Sequence, residues 1–113
     1  MSKFTIYHNP RCSKSRQTLE LLRENGVEPQ IVEYLKTPFT KSALQDLLTK
    51  LGCKPSEILR NKEPDAANLK GENDTAILNA MVKNPVLVER PIVVSGSKAV
   101  VGRPPENVLK LLK

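Results

Sequence analysis

The chain has 113 residues and a formal net charge of +6, from 18 Lys and Arg against 12 Asp and Glu. We expect residues 1–113 to form a single domain, since domains commonly span roughly 100–150 residues. A content of 39% hydrophobic and 27% charged residues is typical of a soluble globular protein. The positive charge indicates an anionic partner and excludes an acidic disordered tail, but it does not distinguish a polynucleotide from a small oxyanion.

The spacing of the cysteines and the composition of the N-terminus predict the cellular compartment of the protein. No apolar run approaches the roughly 18 residues of a membrane span, and the first residues lack the apolar stretch of a secretory signal. Neither Cys12 nor Cys53 belongs to a C-x-x-C pair, so we expect reduced thiols in a cytoplasmic protein. With a single histidine in the chain, no metal site is expected.

The first third of the chain predicts a strand, a helix and a second strand. Residues 4–8 are β-branched and aromatic, and Asn9-Pro10 ends this strand. A helix is predicted over residues 13–25, with Gly26 as its C-terminal cap, and a second strand over residues 30–34. A crossover of this kind makes the two strands parallel.

The middle of the chain predicts a helical segment. Leucines at i, i+3, i+4 and i+7 indicate an amphipathic helix over residues 40–51, and Pro55 begins a shorter one. The polar residues 61–73 are predicted to be an irregular connection. Asn73 or Asp74 then caps a helix that ends before Pro85.

The last third returns to β-structure. Residues 91–94 and 98–101 flank Ser95-Gly96-Ser97, which predicts a hairpin, and Pro104-Pro105 opens a closing helix. The order of elements predicts an α/β fold. It has a four-stranded mixed sheet flanked by helices and a helical insertion, about residues 40–84, after the second strand.

Cys12 is the candidate nucleophile. It lies between the end of the first strand and the start of the following helix, where ligands are commonly bound in such units. The positive helix end and the neighbouring Arg11, Lys14 and Arg16 favour a thiolate at this position. The alternative is that Cys12 is only a small residue in a turn.

Three further side chains are candidate supports for that thiolate. His8 adds positive charge when it is protonated, and the hydroxyl groups of Ser13 and Ser15 can donate hydrogen bonds to sulfur. His8 is equally compatible with a packed, non-functional histidine at a strand end. Cys53 follows a leucine-rich helix and a glycine, and we expect it to be structural.

A series of motifs runs in order along nearly the whole chain. It begins with the loop from Ile6-Tyr7-His8-Asn9-Pro10 through Cys12 to Ser15-Arg16. It continues through the segments Gly26-Val27-Glu28-Pro29, Tyr34-Leu35-Lys36-Thr37-Pro38, Leu59-Arg60, Asn84-Pro85, Glu89-Arg90-Pro91-Ile92-Val93-Val94 and Gly102-Arg103-Pro104. This series resembles the glutaredoxin-coupled arsenate reductase family.

This resemblance implies a thioredoxin-like fold and a set of roles. It implies that Cys12 is the nucleophile, whose thiolate His8, Ser15 and Arg16 are expected to support on the chemical grounds given above. It further implies that three arginines bind the oxyanion and that the peptide bond before Pro91 is cis. The three arginines are Arg60, Arg90 and Arg103.

The implied reaction is the reduction of arsenate to arsenite, or the reduction of another small oxyanion. The Cys12 thiolate attacks arsenic, with glutathione and glutaredoxin as reducing partners and no bound cofactor. Two alternatives stay open: a non-enzymatic thiol regulator of this fold that binds RNA polymerase, and an oxidoreductase acting on glutathione mixed disulfides. Nucleic acid is not an expected partner, because no aromatic platform or basic stripe is present. A membrane is not expected either, because no apolar run is long enough to span one.

Overall fold

The computed structural model describes residues 4–60, 62–69 and 71–112. The chain divides into two compact units. The first extends up to Thr37 and resumes at Arg90, and the second is Pro38–Glu89. The second unit contains the segment that the sequence assigns to a helical insertion. That residues 1–113 act as a single domain stays a prediction.

The first unit is built on a sheet with four strands among the described residues. In chain order these are β1 (Phe4–Tyr7), β2 (Gln30–Val32), β3 (Ile92–Ser95) and β4 (Lys98–Val101), arranged β2-β1-β3-β4. β1 is parallel to β2 and antiparallel to β3, and β3 is antiparallel to β4. The predicted four-stranded mixed sheet is confirmed. The helix α1 (Ser13–Glu24) makes the crossover from β1 to β2.

One apolar core fixes α1 against this sheet. Ile6 and Val93 are partners across β1 and β3, so their side chains lie on the same face of the sheet. Both are fully buried together with Leu22 of α1 and Val108 of the C-terminal 3₁₀ helix Pro105–Leu111. The second half of α1 is therefore held against the sheet by this core.

The second unit is helical, as its leucine spacing predicts. Its described residues contain α2 (Lys41–Leu51) and α3 (Asp74–Lys83), which contact each other, and three 3₁₀ helices. The side chain of Thr40 caps α2 by accepting a hydrogen bond from the Ala43 N–H at 3.1 Å. Asn73 caps α3 through a 2.8 Å bond from the Ala76 N–H. The 3₁₀ helices are Pro55–Ile58, Pro64–Leu69 and Pro85–Leu87.

The prediction of an irregular connection over residues 61–73 is wrong in its middle part. Pro64–Leu69 forms a 3₁₀ helix that buries Ala66. A single buried residue creates no hydrophobic period, so the pattern did not indicate a helix, although Pro64 suits a first helical position. The closing helix begins at Pro105 as a 3₁₀ helix, a form typical of short segments.

Candidate active site

Strand register brings three sequence-distant segments to one end of the first unit's sheet. Tyr7, the last residue of β1, pairs with Ile92, the first residue of β3. Ile92 also pairs with Val101, the last residue of β4. Three segments therefore begin or end at this edge: the loop carrying Cys12, Arg90 before β3, and Arg103 after β4.

Cys12 is the N-cap residue of α1. Its backbone is extended, its carbonyl accepts the first helical hydrogen bond from the Arg16 N–H at 3.0 Å, and the residue is 9% exposed. The Asn9 carbonyl accepts from the Cys12 N–H at 3.0 Å, and the Asn9 side chain accepts from the Arg11 N–H at the same distance. The predicted position of Cys12 at the helix start is confirmed. At the N-cap position the thiol lies at the positive end of the helix dipole, which favours its thiolate form.

His8 and Ser15 form a buried polar pair beneath this loop. Their Nδ1 and Oγ atoms are 2.5 Å apart, and Ser15 Oγ also accepts from the Asn9 N–H at 3.1 Å. Burial lowers the pKa of His8 from its ordinary 6.5; the charge of Glu33 raises it, and the charges of Arg23 and Arg16 lower it further. In the neutral tautomer that carries its proton on Nε2, Nδ1 accepts the Ser15 hydroxyl proton. The pair links the end of β1 to the first turn of α1.

The cationic side chains of the loop are exposed to solvent, unlike the buried His8–Ser15 pair. Arg11, Lys14 and Arg16 are all exposed. Arg16 nevertheless affects the buried site, because its charge is one of those that lower the His8 pKa. The hydroxyl of Ser15, which the sequence offered as a donor to sulfur, has His8 and Asn9 as hydrogen-bond partners.

Arg90 presents buried hydrogen-bond donors at the sheet edge. Its Nε and Nη1 atoms are buried and have no hydrogen-bond partner among the described residues. The Arg90–Pro91 peptide bond is cis, which confirms the expectation for Pro91, and the Arg103–Pro104 bond is also cis. A buried guanidinium normally requires anionic or hydrogen-bonding partners, so these donors suit an oxyanion.

Gly102 joins the Arg90 and Arg103 segments to α1. Its N–H donates to the Pro91 carbonyl at 2.8 Å. A Cβ atom at Gly102 would lie 2.7 Å from Thr18 Oγ1 and 2.9 Å from Pro91 Cγ. The hydroxyl of the buried Thr18 donates to the Lys14 carbonyl at 2.8 Å and lies 3.4 Å from the Gly102 carbonyl. The contacts of Gly102 with Pro91 and Thr18 hold the backbone directly before Arg103.

Arg60 belongs to the second unit, where two carboxylates surround it. Its side chain is 14% exposed and its Nη1 donates to Glu63 Oε2 at 2.8 Å. Its Nε lies 3.5 Å from Glu89 Oε1. Arg60 is a candidate site residue from the sequence, whereas Glu63 and Glu89 are not.

Comparison with known proteins identifies the family. The model of the ArsC family matches residues 7–111. The chain belongs to the ArsC family. An arsenate reductase of Neisseria meningitidis is 44% identical to it over 99% of this chain and 100% of that protein. An uncharacterized Escherichia coli K12 protein, YfgD, is 54% identical over 95% and 94% of the two chains.

Solved structures agree with this family assignment. An arsenate reductase from Vibrio cholerae superimposes on this ArsC-family chain with a TM-score of 0.92 and 42% sequence identity. The match covers 96% of this chain and 97% of that one. The thioredoxin-like fold expected from the resemblance is confirmed.

The site of this ArsC-family chain includes residues that sequence reasoning did not select. The sequence gives only weak indications of Gly102 and Thr18. Gly102 lies directly before the Arg103-Pro104 motif, and Thr18 lies in the polar first half of α1. Glu63 follows Arg60 by three residues, a spacing that allows an ion pair but does not require one. Glu89 is far from Arg60 in the sequence, so no spacing indicates their ion pair.

The described residues form neither a candidate metal site nor a candidate membrane-spanning helix. Within residues 4–60, 62–69 and 71–112, no group of three His, Cys, Asp or Glu side chains is arranged to hold a metal ion. None of the helices in this described part of the ArsC-family chain is both long and apolar enough to cross a membrane.

Proposed function

We propose that this chain is an oxidoreductase of the arsenate reductase type, with Cys12 as its nucleophile. Family membership supports the reaction class. The observation that carries the proposal is the strand register at one sheet edge, where the loop of Cys12 meets the segments of Arg90 and Arg103. A thiol at a helix N-terminus and guanidinium groups nearby are the combination that an attack on an anionic centre requires.

The proposed reaction begins with a bond between the Cys12 sulfur and arsenic. An arsenate oxygen leaves as water, taking up two protons, and arsenic is still pentavalent in this adduct. Glutathione then adds through its own sulfur, displacing a second oxygen. Glutaredoxin removes the glutathione as a mixed disulfide, so two electrons remain on arsenic, which becomes trivalent while still bonded to the Cys12 sulfur. Water then displaces this sulfur from arsenic, which releases arsenite and restores the Cys12 thiol. External thiols provide both reducing equivalents, so a second cysteine beside Cys12 is unnecessary.

The arginines counter the charge that builds up during this attack. Arsenate repels a thiolate, and guanidinium donors offset that repulsion through charge-assisted hydrogen bonds. The buried donors of Arg90 support its role, and Arg103 is included because its segment ends at the same sheet edge. The proposed role of Arg60 rests on the sequence resemblance alone.

His8, Ser15 and Arg16 are proposed to support the thiolate indirectly. The His8–Ser15 pair and the bond from the Asn9 N–H hold the backbone that places Cys12 at the N-cap. Arg16 contributes positive charge at the first turns of α1. A reduced thiol of this kind suits a cytoplasmic protein, which we include in the proposal.

The experiment is single-turnover arsenate reduction with glutathione and glutaredoxin. Cys12→Ser is expected to abolish arsenite formation, whereas the matched Cys53→Ser is expected to retain it, because only Cys12 lies at the helix start. Equal rates for the wild-type protein and Cys12→Ser would overturn the proposal. Replacing glutaredoxin with thioredoxin in the same assay tests the choice of reductant separately.

A further inference from the structure

Arg60 has two carboxylates beside its guanidinium, although an arginine that binds an oxyanion needs its positive charge available to that ligand. Glu63 and Glu89 approach its guanidinium at 2.8 Å and 3.5 Å, and both carboxylates are only about a quarter exposed, at 26% and 27%. One positive charge is therefore matched by two negative charges, and the cluster carries a net charge of −1. Partial burial strengthens these interactions relative to an ion pair in open water.

Local backbone structure holds both glutamates in place. Leu59 and Val88 form an antiparallel bridge, flanked by bonds from the Arg60 N–H to the Leu87 carbonyl and from the Glu89 N–H to the Ile58 carbonyl, each 2.8 Å. In this register residues 60 and 89 are diagonal neighbours on one face, within reach of long side chains. Glu63 is held by a turn, in which its N–H donates to the Arg60 carbonyl at 3.0 Å.

The two carboxylates interfere with both forks of the guanidinium. An arginine grips an oxyanion through two parallel N–H groups, either Nε with Nη2 or Nη1 with Nη2. Glu63 occupies Nη1 and Glu89 faces Nε, so each fork has one nitrogen directed at a carboxylate. A bidentate contact between Arg60 and an oxyanion therefore requires at least one glutamate to move away.

We infer that Glu63 and Glu89 compete with the oxyanion for Arg60 and thereby lower the affinity of this chain for arsenate. The inference rests on the proposed function, specifically on oxyanion binding by Arg60. Because the competing cluster is anionic, each additional negative charge on the oxyanion increases the repulsion. The glutamates are thus specificity determinants that disfavour highly charged oxyanions.

The test compares arsenate kinetics of Glu63→Gln and Glu89→Gln with those of the wild-type protein. Each substitution keeps side-chain size and removes one competing charge. We expect the arsenate KM to fall about fivefold per substitution, the equilibrium ratio for an interaction of ~1 kcal/mol, with a smaller change in kcat. The matched control is Glu72→Gln, which removes an exposed charge from the same unit and should leave KM unchanged.

An Arg60→Ala variant separates failure of this inference from failure of the proposed role. If Arg60→Ala raises KM but neither glutamine variant lowers it beyond the Glu72→Gln control, the competition is refuted and the oxyanion role of Arg60 stands. If Arg60→Ala leaves KM unchanged, both fail. In the Arg60→Ala background Glu89→Gln should lower KM by a smaller factor than it does when Arg60 is present, because only charge repulsion then remains. An equal decrease in both backgrounds would refute competition for Arg60.

Discussion

Substitution of Gly102 by alanine should destabilise the junction between α1 and the arginine-bearing segments. The cause is steric, because the new Cβ would lie 2.7 Å and 3.0 Å from Thr18 Oγ1 and Cγ2, and 2.9 Å from Pro91 Cγ. Gly102 is not among the glycines with positive φ, so alanine fits its backbone conformation. Overpacking of this kind costs about 1–3 kcal/mol of unfolding free energy.

A double-mutant cycle with Thr18→Ala isolates the steric contact. Thr18→Ala alone should cost about 1 kcal/mol, since it removes the hydroxyl that donates to Lys14. It also removes two of the three atoms that collide with Cβ. The double variant should therefore be more stable than the sum of the single effects by at least ~1 kcal/mol, measured by urea denaturation with an unchanged m value.

The control for this cycle is Gly52→Ala. Gly52 has φ of +69°, and no atom lies within 4 Å of the place that an alanine Cβ would take, so this substitution strains the backbone without collision. Its cost should add to that of Thr18→Ala without coupling. A Gly102→Ala protein as stable as the wild type, or an additive Gly102 cycle, would refute the reasoning about this contact.

Two further predictions concern stability. Because burial lowers the His8 pKa below 6.5, the folded protein binds fewer protons than the unfolded chain, so unfolding free energy falls as pH drops below 6.5. His8→Asn should lose less stability between pH 7.5 and 5.5 in parallel denaturant titrations; identical losses would contradict this assignment. Thr40→Ala removes the cap bond to Ala43 and should lower unfolding free energy by about 1 kcal/mol, whereas the exposed Thr75→Ala should change it less; equal effects in urea titrations would argue against the cap.

Local elements followed closely from sequence pattern, with small errors at their ends. The predicted strand over residues 4–8 ends one residue earlier, at Tyr7, although the His8 N–H still donates to the Val32 carbonyl at 2.8 Å. The helix predicted over residues 40–51 begins at Lys41, with Thr40 as its cap. Element ends depend on cap and loop contacts, which hydrophobic periodicity does not encode.

For the site, the sequence by itself determined that Cys12 stands between a strand and a helix, because strand ends and helix starts are signalled by neighbouring residues. Only the tertiary structure decided that the Arg90 donors are buried and that Arg60 lies between Glu63 and Glu89. Burial and cross-strand ion pairs depend on which distant segments pack together. A count of charges predicts an anionic partner, but the fold decides which arginines already have carboxylate partners within the chain.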